Sequence, residues 1–246
     1  MSEIVQRVVP GDLAYACWAY ETMTYYARSW QDFRETVGDD ADLRVAAHRD
    51  ALFTWLNKWG CRIAAEREAR VKICLSGWYA RNGDHLLGRN ADLAEVSDGD
   101  LRDTADLFDS LIGDMKRAAS TRSLRFGPTA VSKTLFALRP RLFPAWDSAI
   151  RGALVDGEDS GKAYVRYASR LRNEIRGITR RGTELGIVGL PAAICPSRNA
   201  TMVQLVGEYY WVTVTRGVKL PPLHCRRDWT AWSTVAADRH PPNVSC

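Results

Sequence analysis

Residues 122–154 read RSLRFGPTAVSKTLFALRPRLFPAWDSAIRGAL. The Gly127-Pro128 pair predicts a tight turn into a helix, because the fixed φ of proline suits a first turn where its missing N–H costs nothing. We expect Gly127 to adopt backbone angles that are closed to other residues. Apolar residues follow at helical spacing. Pro140 then ends the helix and pushes Arg139 toward an extended backbone.

Asp147 comes next, at the start of a second, short apolar helix. Aspartate is a favoured N-cap because its carboxylate accepts hydrogen bonds from backbone N–H groups. The preceding Phe143-Pro-Ala-Trp146 is unusually apolar for a simple cap. It indicates a partly buried carboxylate, the kind whose pKa is tuned for function. Local sequence alone leaves both interpretations of Asp147 open, a helix cap and a functional group.

The composition of the 246-residue chain, 46% hydrophobic, is that of a globular protein with a substantial core. Its net charge of +5 conceals an asymmetry between the two halves of the sequence. Residues 1–120 hold 15 Lys+Arg and 20 Asp+Glu, whereas residues 121–246 hold 19 and 9. A basic half of this kind is typical of a nucleic-acid-binding face, and a solvated basic surface without a partner is the alternative.

Apolar periodicity predicts a mostly α protein with little β-structure. Helices are expected over 12–36, 41–59, 62–80, 100–119 and 160–181. Residues 209–215 fit either a strand or a buried helix end. We expect an acidic, mainly helical N-terminal lobe over 1–120 and a basic lobe over 121–246 whose C-terminal tail packs back, with one intertwined domain as the alternative.

The order of these features resembles the helix-hairpin-helix DNA glycosylases, in which a glycine-bearing hairpin grips a DNA phosphate and an aspartate about twenty residues later serves the chemistry. Here Asp147 follows Gly127 by 20 positions. The resemblance implies a helical, two-lobed fold with a helix-hairpin-helix element. It also implies Asp147 as the catalytic residue and double-stranded DNA as the partner.

By the same resemblance, the DNA-binding residues are expected to be Arg125, Gly127, Thr129, Lys133 and Arg151. Trp146 is our guess for a residue that lines the pocket for the flipped base.

The sequence departs from the family pattern at Thr129, which stands where the hairpin usually has a second glycine and where bifunctional members keep a Schiff-base lysine. Lys133 lies one helical turn further along the same face. A catalytic auxiliary role for Lys133 therefore stays open beside a phosphate-binding or solvated lysine. We expect a monofunctional enzyme that leaves an abasic site.

No metal and no cofactor are expected. The six cysteines show no C-x-x-C spacing, the four-cysteine iron–sulfur loop of some relatives is absent, and the four histidines are dispersed. With no signal peptide and no apolar run long enough for a membrane span, we expect a cytoplasmic monomer with reduced thiols and no membrane partner.

Two further segments, 53–61 and 210–217, resemble those of a divergent bacterial group. That group includes anti-phage glycosylases that excise hypermodified cytosines from viral DNA. The favoured expectation is such a defence enzyme. The alternatives are a base-excision repair glycosylase for alkylated or oxidised bases, a non-catalytic helix-hairpin-helix DNA-binding module, and a helical protein unrelated to DNA.

Overall fold

The structure is a computed structural model that describes residues 8–118 and 126–222. These residues form helices and connecting turns and contain no strand. The α-helices, in chain order, are α1 (Pro10–Met23), α2 (Tyr26–Val37), α3 (Ala46–Lys58), α4 (Glu68–Asn82), α5 (Asp98–Ala118), α6 (Pro128–Leu138), α7 (Ser148–Val155), α8 (Gly161–Glu184), α9 (Leu190–Ile194) and α10 (Met202–Tyr210). The predicted mostly α class is confirmed.

Three shorter elements complete the described chain. The 3₁₀ turns Ala65–Arg67 and Gly83–His85 lie on either side of α4. A π-helical turn, Trp211–Thr215, continues α10. Of the two alternatives for residues 209–215, the structure therefore has the helix end. None of the described helices combines the length and the apolar character that crossing a bilayer requires.

The described residues form two compact units, and the division does not follow the expected boundary at residue 120. One unit combines residues 8–24 with residues 170–222, and the other runs from Tyr25 to Ser169. The reason is a break in the single helix expected over 12–36. Thr24 adopts an extended conformation (φ −142°, ψ 161°), and its N–H bonds to Tyr20 and closes α1 there.

The first unit is built around α1, which packs against α9, α10 and the π-helical turn. Leu13, Ile194 and Val206 are completely buried in it. The rings of Tyr20 and Trp211 meet edge to face with their centroids 5.2 Å apart. The two ends of the described chain therefore share one hydrophobic core.

The second unit contains α2 to α7 and the start of α8. Its aromatic side chains cluster where α2, α3 and α6 meet: the rings of Trp30 and Phe136 lie 4.7 Å apart, and those of Trp55 and Trp59 lie 4.5 Å apart. Aromatic pairs at these distances add about 0.5–1.5 kcal/mol each beyond the burial of their area. This cluster fixes α6, the helix that carries Lys133, against α3.

The ends of α6 follow the sequence prediction. Pro128 is its first residue, and the helix ends at Leu138, two residues before Pro140. Arg139 then turns away from helical geometry (φ −144°, ψ 76°), and its Nε donates a hydrogen bond to the carbonyl oxygen of Leu87 at 3.0 Å. All nine residues from Ala130 to Leu138 are buried. The helix is therefore a central element of its unit.

Candidate active site

Asp147 is the N-cap of α7. Its backbone is extended (φ −116°, ψ −175°), and its Oδ1 accepts a hydrogen bond from the N–H of Ile150 at 2.9 Å. The residue is half-buried, as its apolar approach predicts. The positive end of a helix dipole favours a carboxylate at this position. The capping interpretation is therefore correct.

The residue before Asp147 is tied to the first turn of α6. The Trp146 backbone N–H donates to Ser132 Oγ at 3.2 Å, and the Trp146 indole N–H donates to the Pro128 carbonyl oxygen at 3.1 Å. The Ser132 hydroxyl lies 3.0 Å from the Thr129 carbonyl oxygen, to which it donates. These bonds place the start of α6 and the start of α7 side by side.

Trp146 itself is a core residue, which corrects the guess that it lines a base pocket. Its side chain is 1% exposed. Its ring lies 5.6 Å from that of Phe108, 5.2 Å from that of Tyr164 and 5.5 Å from that of Tyr167. With its indole N–H bonded to Pro128, the ring is held on all sides, and a flipped base cannot stack on it in this arrangement.

Two tyrosines of α8 hold the loop that precedes Asp147, and sequence reasoning missed both. The Tyr164 hydroxyl donates to the carbonyl oxygen of Pro144, and the Tyr167 hydroxyl donates to that of Ala145, each at 2.9 Å. Both side chains are buried. Their spacing of three residues placed them on one face of a helix, which was a usable signal. The sequence around the two tyrosines gave no indication that they would bond to this loop.

Lys133 is buried rather than solvated. It is 9% exposed, its Nζ donates to the Trp59 carbonyl oxygen at 2.6 Å, and it lies 5.5 Å from the centroid of the Trp59 ring. Burial lowers the pKa of Lys133, while the nearby Cys61 thiol and Asp147 carboxylate act in the opposite direction. The amine is thus engaged inside the unit, which corrects the expectation of a lysine held out toward a DNA phosphate.

Gly127 caps α6 without a side chain. Its backbone is extended (φ −94°, ψ −168°), so the expectation of angles closed to other residues is wrong. A side chain at Gly127 would meet no other atom within 4 Å. What glycine does provide here is a helix N-terminus with no side-chain hydrogen bond at its cap. N–H groups in a first turn are the usual ligands of phosphate.

The structure describes only two of the three remaining residues that were predicted to contact DNA. Thr129 is half-buried in the first turn of α6. Arg151 lies one turn into α7 and is half-buried, with its Nε hidden from solvent and without a hydrogen-bond partner among residues 8–118 and 126–222. Arg125 and the rest of the expected hairpin, residues 119–125, lie outside the described residues.

Comparisons with protein-family models, with curated proteins and with solved structures give no match for this chain.

Proposed function

We propose that this protein is a monofunctional DNA glycosylase that flips a modified base out of the duplex and hydrolyses its N-glycosidic bond. The observation that carries the proposal is the position of Asp147. It is half-buried, capped onto α7, and fixed beside the N-terminus of α6 by Ser132 and by the two tyrosines of α8. A carboxylate held so firmly is preorganised for electrostatic work.

The chemistry needs one such carboxylate. As the C–N bond breaks, the sugar develops oxocarbenium character, which a negative charge near the anomeric carbon stabilises. Water adds to that carbon, and the base leaves with the bonding electron pair and a proton. Asp147 supplies the charge and orients the water. The target nucleotide must first leave the base stack.

DNA is positioned by the backbone at the start of α6 together with the basic charge of residues 121–246. The backbone N–H groups in the first turn of α6 that follow Pro128 suit a phosphate, and contacts of this type fix register without reading sequence. The 19 basic residues against 9 acidic ones in that half supply attraction for DNA of any sequence.

Lys133 supports the site and does not act as a nucleophile in this proposal. Its contacts with the Trp59 carbonyl oxygen and the Trp59 ring both favour the protonated ammonium, which cannot form a Schiff base. Burial nevertheless lowers the pKa of the lysine overall. The proposed product, an intact strand with an abasic site, therefore rests on Thr129, which stands where bifunctional relatives keep their lysine.

The favoured biological role is defence against phage DNA that carries hypermodified cytosine. Its support is the resemblance of segments 53–61 and 210–217 to a divergent bacterial group. The first of these segments contains Trp59 and Cys61, which lie against Lys133 of α6. A repair glycosylase for alkylated or oxidised bases would use the same carboxylate.

The experiment is incubation of the protein with phage DNAs that carry different modified cytosines, with alkylated and oxidised duplexes and with unmodified DNA, followed by an assay for abasic sites. Abasic sites only in DNA with hypermodified cytosine support the defence role, and abasic sites only in alkylated or oxidised duplexes support repair.

One observation favours a second candidate, a DNA-binding module without catalysis. The Asp147 carboxylate makes a well-formed cap for α7, and capping alone is enough to explain an aspartate there. Binding to all these DNAs with no abasic site in any of them would favour this candidate.

A further inference from the structure

A second cluster of chemically active side chains lies in the unit formed by residues 8–24 and 170–222. Cys17 is on α1, and Cys195 is the residue that ends α9. Both thiols are buried, with 1% and 0% exposure, and they are hydrogen-bonded to each other. Glu21 lies one helical turn after Cys17 on α1. The sequence separates the two cysteines by 178 positions, so no spacing motif announced this cluster.

The three donor atoms have the separation that a small cation requires. Cys17 Sγ, Cys195 Sγ and a carboxylate oxygen of Glu21 lie within 4.8 Å of one another. Glu21 Oε1 is 3.6 Å from Cys195 Sγ and 4.0 Å from Cys17 Sγ. With Zn–S of about 2.3 Å and Zn–O of about 2.0–2.2 Å, tetrahedral ligand atoms are roughly 3.5 Å apart. Both sulfur–oxygen distances therefore lie within about half an ångström of this separation.

Hydrogen-bond donors surround the Glu21 carboxylate and the Cys17 thiol. The buried guanidinium of Arg198 donates from Nε to Glu21 Oε1 at 2.8 Å, and its Nη2 lies 3.6 Å from Cys17 Sγ. Ser197 Oγ donates to the same Glu21 oxygen at 2.9 Å. Groups of this kind orient and tune metal ligands from outside the first shell.

We propose that Cys17, Glu21 and Cys195 form a site for a divalent cation of the zinc class, with a fourth position for water. Two thiolates and one carboxylate are ligands that Zn²⁺ prefers, and three protein ligands leave one coordination position open. Binding breaks two S–H bonds, forms two metal–sulfur bonds and releases two protons, with no oxidation. The ion would bind α1 to the chain after α9. This proposal is independent of the glycosylase assignment.

The test is a Co²⁺ titration of the full-length, reduced and metal-free chain. Co²⁺ in such a site gives a near-ultraviolet thiolate-to-metal absorption band and the visible bands of tetrahedral coordination. Cys17→Ser and Cys195→Ser should each lose most of the thiolate band. Cys61→Ser, which changes another buried cysteine, should keep it. Glu21→Gln should keep the band and bind the ion at least about tenfold more weakly, because the loss of a direct ligand should cost no less than the loss of an outer-shell partner.

A measurement on the unmodified chain avoids any folding defect of the variants. Zn²⁺ should raise Tm, protect Cys17 and Cys195 from alkylation, and prevent a disulfide from forming between them in air. Equal cobalt spectra for the wild type, Cys17→Ser and Cys195→Ser would overturn the proposal. So would alkylation and disulfide formation at rates that Zn²⁺ does not change, which would make the cysteines a redox pair instead.

Discussion

The Nζ of Lys133 donates a hydrogen bond to the main-chain carbonyl oxygen of Trp59 at 2.6 Å, across 74 residues of sequence. This bond joins the middle of α6 to the C-terminal end of α3, where the carbonyl groups of a helix lack partners within the helix. The helix dipole at that end favours a cation. A side chain that the sequence presents as a DNA contact is therefore also part of the interior of its unit.

Because burial lowers the pKa of Lys133, its ionisation should make stability depend on pH. Between the lowered pKa and about 10.5, the unfolded chain binds more protons than the folded one, so the stability of the wild type should rise with pH in that window. Lys133→Met should lack this contribution. Urea unfolding of both proteins from pH 7 to pH 10.5 measures it, and a constant difference between them would contradict the shift.

The dependence of DNA affinity on salt concentration should show that Arg125 contacts a DNA phosphate and that Lys133 does not. Arg125→Gln should reduce the slope of log K against log salt by about one unit if the arginine meets a phosphate. Lys133→Gln should leave the slope unchanged, because its amine is bonded to Trp59. Fluorescence anisotropy at several salt concentrations gives both slopes, and a loss of about one unit in Lys133→Gln would show that the lysine does reach the DNA.

Borohydride should trap no covalent adduct between the protein and substrate DNA. Thr129 stands where bifunctional relatives keep their lysine, and the Lys133 amine is bonded to the Trp59 carbonyl oxygen. The measurement is gel analysis after reduction, with Lys133→Gln as the matched variant. A trapped band that disappears in Lys133→Gln would make Lys133 the nucleophile and the enzyme bifunctional.

Tyr167→Phe should slow base excision because the loop before Asp147 would be held less firmly in place. The variant removes the hydrogen bond to the Ala145 carbonyl oxygen, with an expected loss of about 1 kcal/mol in stability. We expect kcat to fall and KM to stay nearly constant, because the hydroxyl touches no substrate. Tyr25→Phe is the control, since its hydroxyl makes an exposed bond to Lys58. If Tyr167→Phe and Tyr25→Phe had the same kcat and KM, Tyr167 would have no role in positioning the loop before Asp147.

The local features of the site could be predicted from sequence because they depend on neighbouring residues. Pro128 and Pro140 set the limits of α6, and an aspartate before a short apolar helix becomes its cap. These rules act through backbone geometry and a single hydrogen bond, so they need no knowledge of the fold.

The remaining features depend on residues that are distant in sequence. The burial of Lys133 requires α3, and the break at Thr24 follows from α1 packing on α9 and α10 while α2 packs on α3. Cys17 and Cys195 meet for the same reason. Such contacts are set by tertiary packing, which overrides local propensity and leaves no motif to read.

Substitution of Asp147 most directly tests the central claim, which is that the Asp147 carboxylate is the catalytic group of a DNA glycosylase. Asp147→Asn retains the side-chain oxygen that accepts from Ile150, and asparagine is as good a helix cap, so folding and DNA binding should stay close to wild type. The lost charge should slow excision about 10²-fold or more. Asp156→Asn, at the other end of α7 in a left-handed conformation that asparagine tolerates, is the control and should excise normally. Single-turnover release of the modified base by a folded Asp147→Asn protein at the wild-type rate would contradict the assignment.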